Sequence, residues 1–181
     1  MKSRPYRMRR RAGQVDQTRL RITEAAVRLH TTKGPAHTSI ACVAEEAGVT
    51  RLTVYRHFAD ADALFQACMA HWTMQNPRPA AEAWLAIPDL AERARRAFGE
   101  LYGWYRAHAD ELYPLYRDTE AMPLSAQHAR QARTQAAADA LVAGHAGDDD
   151  AGRILRAVSR HLVDFPTWRS LVRLPRLGDQ E

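Results

Sequence analysis

The stretch Ala47–Phe65, "AGVTRLTVYRHFADADALF", decides how the whole chain is read. A glycine turn and a threonine precede Arg51, Tyr55, Arg56 and His57, ahead of a plainly apolar helix face. A catalytic cluster, a metal site and a nucleic-acid reading head are the three chemistries that gather such a set. Just upstream, Ile40, Val43, Ala44 and Ala47 recur at the spacing of one buried helix face, and Gly48 ends that helix. Thr50 is placed to cap the next helix by accepting a backbone N–H two or three residues on. Two short helices joined by "AGVT" meet the physical requirements of a helix-turn-helix. Small Ala44 and Ala47 allow close approach, Gly48 supplies the positive φ of a tight turn, and Val49 plugs the angle. In such a unit the second helix enters the major groove with its N-terminal residues, here Thr50 and Arg51, toward the bases.

Outward from this pair, charge narrows the choice. Residues 1–60 hold 12 lysines and arginines against 5 acids, whereas residues 61–181 hold 14 against 16. All the surplus positive charge therefore lies in the first third, which should meet a polyanion, either nucleic acid or an anionic membrane surface. No apolar run approaches the roughly 20 residues that span a bilayer, and the basic N-terminus is not followed by a hydrophobic segment. A soluble cytoplasmic protein is the expectation. Cys42 and Cys68, each among apolar residues, read as two buried thiols rather than a disulfide. Residues 1–15 form a basic arm whose Arg4, Arg7, Arg9, Arg10 and Arg11 read either as a disordered tail or, for at least some of them, as contacts to an adjacent groove or the DNA backbone.

Periodicity leaves almost no room for strands. Ile22, Ala25, Ala26 and Leu29 mark a helix opening near Asp16 and closed by Gly34-Pro35. Asp60 caps a fourth helix, and "NPRP" (Asn76–Pro79) breaks the chain. Helices are expected at roughly 80–87, 89–108, 110–118, 124–143, 151–164 and 167–174, with "GHAGDDDAG" (Gly144–Gly152) as an acidic loop. The fold class is all-α, with a helix-turn-helix unit at 16–60 and a larger helical body at 61–181.

The segment "RITEAAVRLHTTKGPAHTSIACVAEEAGVTRLTVYRHFADADALF" resembles the DNA-binding part of the tetracycline-repressor (TetR) family. Its "KG…TS" lead-in, "VAEEAGVT", "T-x-Y-R-H-F" and "D-A-L-F" carry that likeness over about 45 residues. The resemblance implies a three-helix DNA-binding head, a ligand-binding and dimerisation body, and repression at a palindromic operator relieved by a small molecule. Thr38, Thr50, Tyr55 and His57 then occupy positions that contact the DNA backbone, and Arg51, Leu52 and Thr53 positions that face base edges. Two departures stand out. Many relatives place a phosphate-touching lysine where this chain has Ala61, and the position of Leu52 is often small. Leu52 offers an apolar contact to a thymine methyl instead.

Plainer readings compete. By spacing alone Tyr55 serves equally well as a core aromatic, and Phe58 is core. His57 has no His, Cys or carboxylate four residues on, so no metal is expected. Arg51 and Arg56 each suit a solvated helix face, and only their company in a basic segment favours DNA. In the body, "FGELYGWYRAHADELYPLYRD" offers Trp104, Tyr105, His108 and Arg117 as walls of a small-molecule pocket, though aromatics at helical spacing are as readily core. The final stretch places Ile154, Leu155, Val158, Leu162, Phe165, Trp168, Leu171 and Val172 on an apolar stripe wider than one surface helix needs, which a symmetric homodimer would bury. No Ser-His-Asp order, HExxH, phosphate-cradling glycine loop or CxxC is present, so neither an enzyme nor a cofactor is expected. A dimeric, ligand-responsive regulator of double-stranded DNA is the leading reading. A non-specific DNA-compacting protein and an enzyme using the aromatic body are the alternatives.

Overall fold

The computed structural model describes residues 4–173, and among them there is no strand. In chain order the helices are α1 (Arg4–Thr32), α2 (Ile40–Glu46), α3 (Arg51–His57), α4 (Ala61–Gln75), α5 (Leu90–Ala107), α6 (Ala109–Arg117), α7 (Leu124–Val142), α8 (Asp150–Leu162) and α9 (Phe165–Trp168). The first helix opens at Arg4 rather than near Asp16. Pro5 in its first turn is compatible with a helix start, and Gly13 alone costs only about 1 kcal/mol. Much of the basic arm thus has a helical backbone. The side chains of Arg4, Arg7, Arg9, Arg10 and Arg11 lie outside the described residues.

The chain divides into two compact units. The first runs to Pro77 and also takes in Tyr113–Pro123. Its core joins Ile22, Ala25, Ala26 and Leu29 of α1 to Val43 and Ala44 of α2, Val54 of α3, Phe58, and Leu64 and Cys68 of α4. The small alanines among these let the helix axes approach closely. Because Leu64 and Cys68 belong to this core, α4 folds with the helix-turn-helix, and the boundary expected after residue 60 falls at Pro77 instead. Residues 113–123 are held by Arg117 and Asp118. Arg117 Nη2 donates to the Lys33 carbonyl (2.7 Å) and Arg117 Nε to Asp118 Oδ1 (2.6 Å), while Ala36 N–H donates to Asp118 Oδ2 (3.2 Å). The guanidinium holds the Asp118 carboxyl below the usual carboxylate range. Only glycine fits at Gly34, where φ is +95° and a Cβ would lie 2.1 Å from Asp118 Oδ2.

The second unit combines Arg78–Leu112 with the chain from Leu124 onward. Trp84, Tyr105, Phe165 and Trp168 fill its centre, with Tyr105 and Phe165 meeting edge to face at 5.4 Å. Arg93 of α5 is 4% exposed and pairs with carbonyls instead of a carboxylate. It donates to the carbonyls of Ala143 and Ile87 (both 2.7 Å) and, more weakly, to Ala140 (3.3 Å) and Leu141 (3.4 Å). These include carbonyls at the end of α7 that lack an intrahelical partner. The expected helix at 80–87 is a 3-10 turn, Ala81–Ala86. Prolines 77, 79 and 88 bracket a segment too short to nucleate an α-helix, and burial of Trp84, whose Nε1–H donates to Glu100 Oε2 (2.8 Å), fixes it. The last expected helix is likewise shortened to α9, which a π-helical turn follows at Arg169–Arg173. The apolar stripe is split: Phe165 and Trp168 are inside, while Ile154, Val158 and Leu171 are exposed.

Candidate nucleic-acid interface

Local chemistry sets α3 firmly. α2 ends in a paired cap in which Val49 N–H donates to the Ala44 carbonyl (2.9 Å) and Gly48 N–H to the Glu45 carbonyl (3.0 Å). This double closure requires a left-handed residue, and Gly48 has φ +62°. Thr50 then caps α3, its Oγ1 accepting the Thr53 N–H at 3.1 Å. Val54 and Phe58 anchor one side of the helix in the core. With that side fixed, the 7-residue helix must present Arg51, Leu52, Tyr55 and Arg56 to solvent.

Tyr55 is 52% exposed and Leu52 61% exposed, so Tyr55 is not a core aromatic. Thr53 and His57 are half-buried at the edges of the exposed face, and Thr50 is exposed at its start. Thr38 is also half-buried, before α2, with its hydroxyl donating to the Gly34 carbonyl (2.8 Å). The eight residues expected to meet DNA thus lie on α3 and its cap, apart from Thr38. Ala61 is exposed in the first turn of α4, behind the Asp60 cap that accepts Ala63 N–H at 2.7 Å.

Two basic residues that pattern did not single out support this face. Arg19 of α1 hydrogen-bonds the His57 carbonyl at the end of α3 and lies 4.1 Å from the Phe58 ring centroid. Arg28 of α1 pairs with Glu46 of α2 at 3.0 Å. Both contacts join residues distant in sequence, and no local periodicity signals them. Cys42 is only partly buried, unlike the fully buried Cys68, and both are free thiols.

The residues expected to form a small-molecule pocket do not stay together. Trp104 meets Tyr105 (centroids 5.6 Å apart) and His108 (5.1 Å) in the second unit. Tyr105 is fully buried, its hydroxyl donating to the Val163 carbonyl (2.8 Å) and accepting from Arg78 Nη2 (2.7 Å). Arg117 belongs to the first unit and pairs with Asp118. Among the described residues no three His, Cys, Asp or Glu side chains gather to hold a metal, and no helix is long and apolar enough to cross a membrane.

Comparison with known proteins agrees with this geometry. Residues 22–68 match the family described as bacterial regulatory proteins, tetR family. Over 62 residues the chain is 42% identical to the HTH-type transcriptional regulator TtgR of Pseudomonas putida, and equally to the probable HTH-type transcriptional regulator ArpR of the same species. Those matches cover 34% of this chain and 30% of each relative, so the chain spans under a third of the curated relatives it matches. The solved structure of NalD, the secondary repressor of the MexAB-OprM multidrug efflux pump in Pseudomonas aeruginosa, is similar over 91% of this chain and 89% of that one, with 25% identity and a TM-score of 0.57. Residues 22–68, which hold the buried core and the exposed face of the helix-turn-helix, are thus similar to the DNA-binding part of the tetR family of bacterial regulatory proteins.

Proposed function

We propose that this chain is a sequence-specific DNA-binding transcriptional regulator, a homodimeric repressor at a palindromic operator whose affinity falls when a small molecule binds the second unit. The observation that carries it is α3: a capped helix with Val54 and Phe58 anchored and Arg51, Leu52, Tyr55 and Arg56 turned outward. Arg51 and Leu52 stand where base edges would be read, and Tyr55 and Arg56 where phosphates would be met. Two such helices in a symmetric dimer would enter successive major grooves about 34–36 Å apart.

The repressor role is supported by the likeness to NalD, and the effector by the second unit's aromatic cluster. Trp104 is flanked by His108 and by the guanidinium of Arg78, 5.6 Å from its ring, so aromatic and cationic groups meet there. Competition electrophoresis tests the reading. Fragments selected from random duplexes should share an inverted repeat and resist excess random DNA. Binding that random DNA removes at equal mass would make the protein a DNA compactor.

A further inference from the structure

The first unit contains a cavity of about 300 Å³ set apart from the exposed face of α3, with Thr38 at its wall. Its walls come from the end of α1 (His30), the starts of α2 (Ile40, Val43) and α4 (Leu64, Phe65), and residues Ala121–Pro123. The lining is mostly apolar, and the volume lies at the lower end of small-molecule sites. Thr38 and Ser39 also line it, but their hydroxyls are committed to the Gly34 carbonyl and to Cys42.

One buried polar group is left over. His30 is 7% exposed, and its ring lies 4.9 Å from that of Phe65. Cys68 Sγ–H donates to the Phe65 carbonyl (3.1 Å), so the sulfur is the acceptor for His30 Nδ1–H (3.3 Å). In that tautomer Nε2 carries a lone pair, and it meets no hydrogen-bonding group among the described residues. A donor entering the cavity would meet that acceptor in place of solvent. Asp62 on the same lining disfavours an anion.

We propose that this cavity binds a small neutral single-ring molecule carrying one O–H or N–H donor, its ring against Leu64 and Phe65 and its donor on His30 Nε2. Because the walls include the starts of both α2 and α4, occupancy alters how the helix-turn-helix is held on α4. That consequence for duplex affinity rests on the proposed function, whereas binding itself does not.

The test uses the full chain, without DNA, and two probes of similar size, phenol and toluene, followed by nuclear magnetic resonance. Phenol should perturb the amides of Val43 and Leu64, shift the His30 Nε2 resonance, and bind at least ten-fold more tightly than toluene. Ala121→Trp, at an exposed position of the wall, should abolish these shifts without disturbing the core. Equal affinity for the two probes, an unmoved Nε2 resonance, or binding untouched by Ala121→Trp would each overturn the proposal. Phenol binding with no change in duplex affinity would overturn the effect on the hold of the helix-turn-helix, whereas failure to bind any duplex, with phenol binding intact, would count against the regulator reading alone.

Discussion

Single side chains on α3 divide by what they touch. Tyr55 leaves the helix on the exposed side and is assigned to phosphate, so Tyr55→Ala should weaken binding to all duplexes alike. Arg51, at the leading end, is assigned to a base edge, where a good bidentate contact discriminates by about 1–3 kcal/mol. Arg51→Ala should therefore lower affinity for the selected operator while leaving scrambled sequences nearly unchanged. A gel-shift series over single-base operator variants checks both, and equal loss of specificity from the two would contradict the assignment. His30 makes a different prediction. Burial lowers its pKa from 6.5 to about 4. Between those values the unfolded chain binds the proton and the folded chain does not, so stability falls as pH drops from 6.5 toward 4 and is unaffected above. The full effect is about 3 kcal/mol. Urea melts at pH 7 and pH 4.5 should show a drop that His30→Gln largely removes.

Helices and turns were legible where caps and spacing act locally. Thr50 and Asp60 each cap as the sequence suggests, and Ser39 caps α2, its Oγ accepting Cys42 N–H at 3.2 Å. Legibility failed where a distant partner decides. Nothing in "AEAWLA" announces that Trp84 will be pinned by Glu100, and nothing near Gly34 announces Asp118. The effector residues suffered in the same way: Tyr105 and Arg117 look alike as polar-tipped wall candidates, but Val163, Arg78 and Asp118 claim them. Gly152 shows how magnitudes decide between local and distant effects. Alanine in an exposed helix gains about 1 kcal/mol over glycine. Here, however, a Cβ would stand 1.9 Å from the Gly147 carbonyl oxygen, and overpacking of that kind costs about 1–3 kcal/mol. Gly152→Ala should lower the urea midpoint rather than raise it. Arg93→Met should cost about 3 kcal/mol in the same measurement, because it strips charged donors from buried carbonyls. Arg95→Met, on the exposed side of α5, should change it by less than about 0.5 kcal/mol.

For the molecule as a whole, the apolar surface of α8 carries the assembly prediction. Ile154 and Val158 lie one turn apart and are 63% and 48% exposed, while Gly152 and Ser159 are buried on the same helix. An outward apolar stripe of this kind suits a two-fold interface between copies. Ile154→Glu combined with Val158→Glu should turn a dimer into a monomer in sedimentation experiments, with thermal stability of the isolated chain little changed. Operator affinity should fall steeply, since one head alone reads half a site. A dimer that survives both charges would place the interface elsewhere.

The clasp of Arg117 and Asp118 onto Lys33 and Ala36 makes the first unit discontinuous along the chain. A ribosome extends the polypeptide from its N-terminus, so a nascent chain ending at Pro77 has every helix of the DNA-reading part yet lacks the strap that closes it. Emergence of residue 123 from the exit tunnel, rather than of residue 77, is the step at which that part becomes complete.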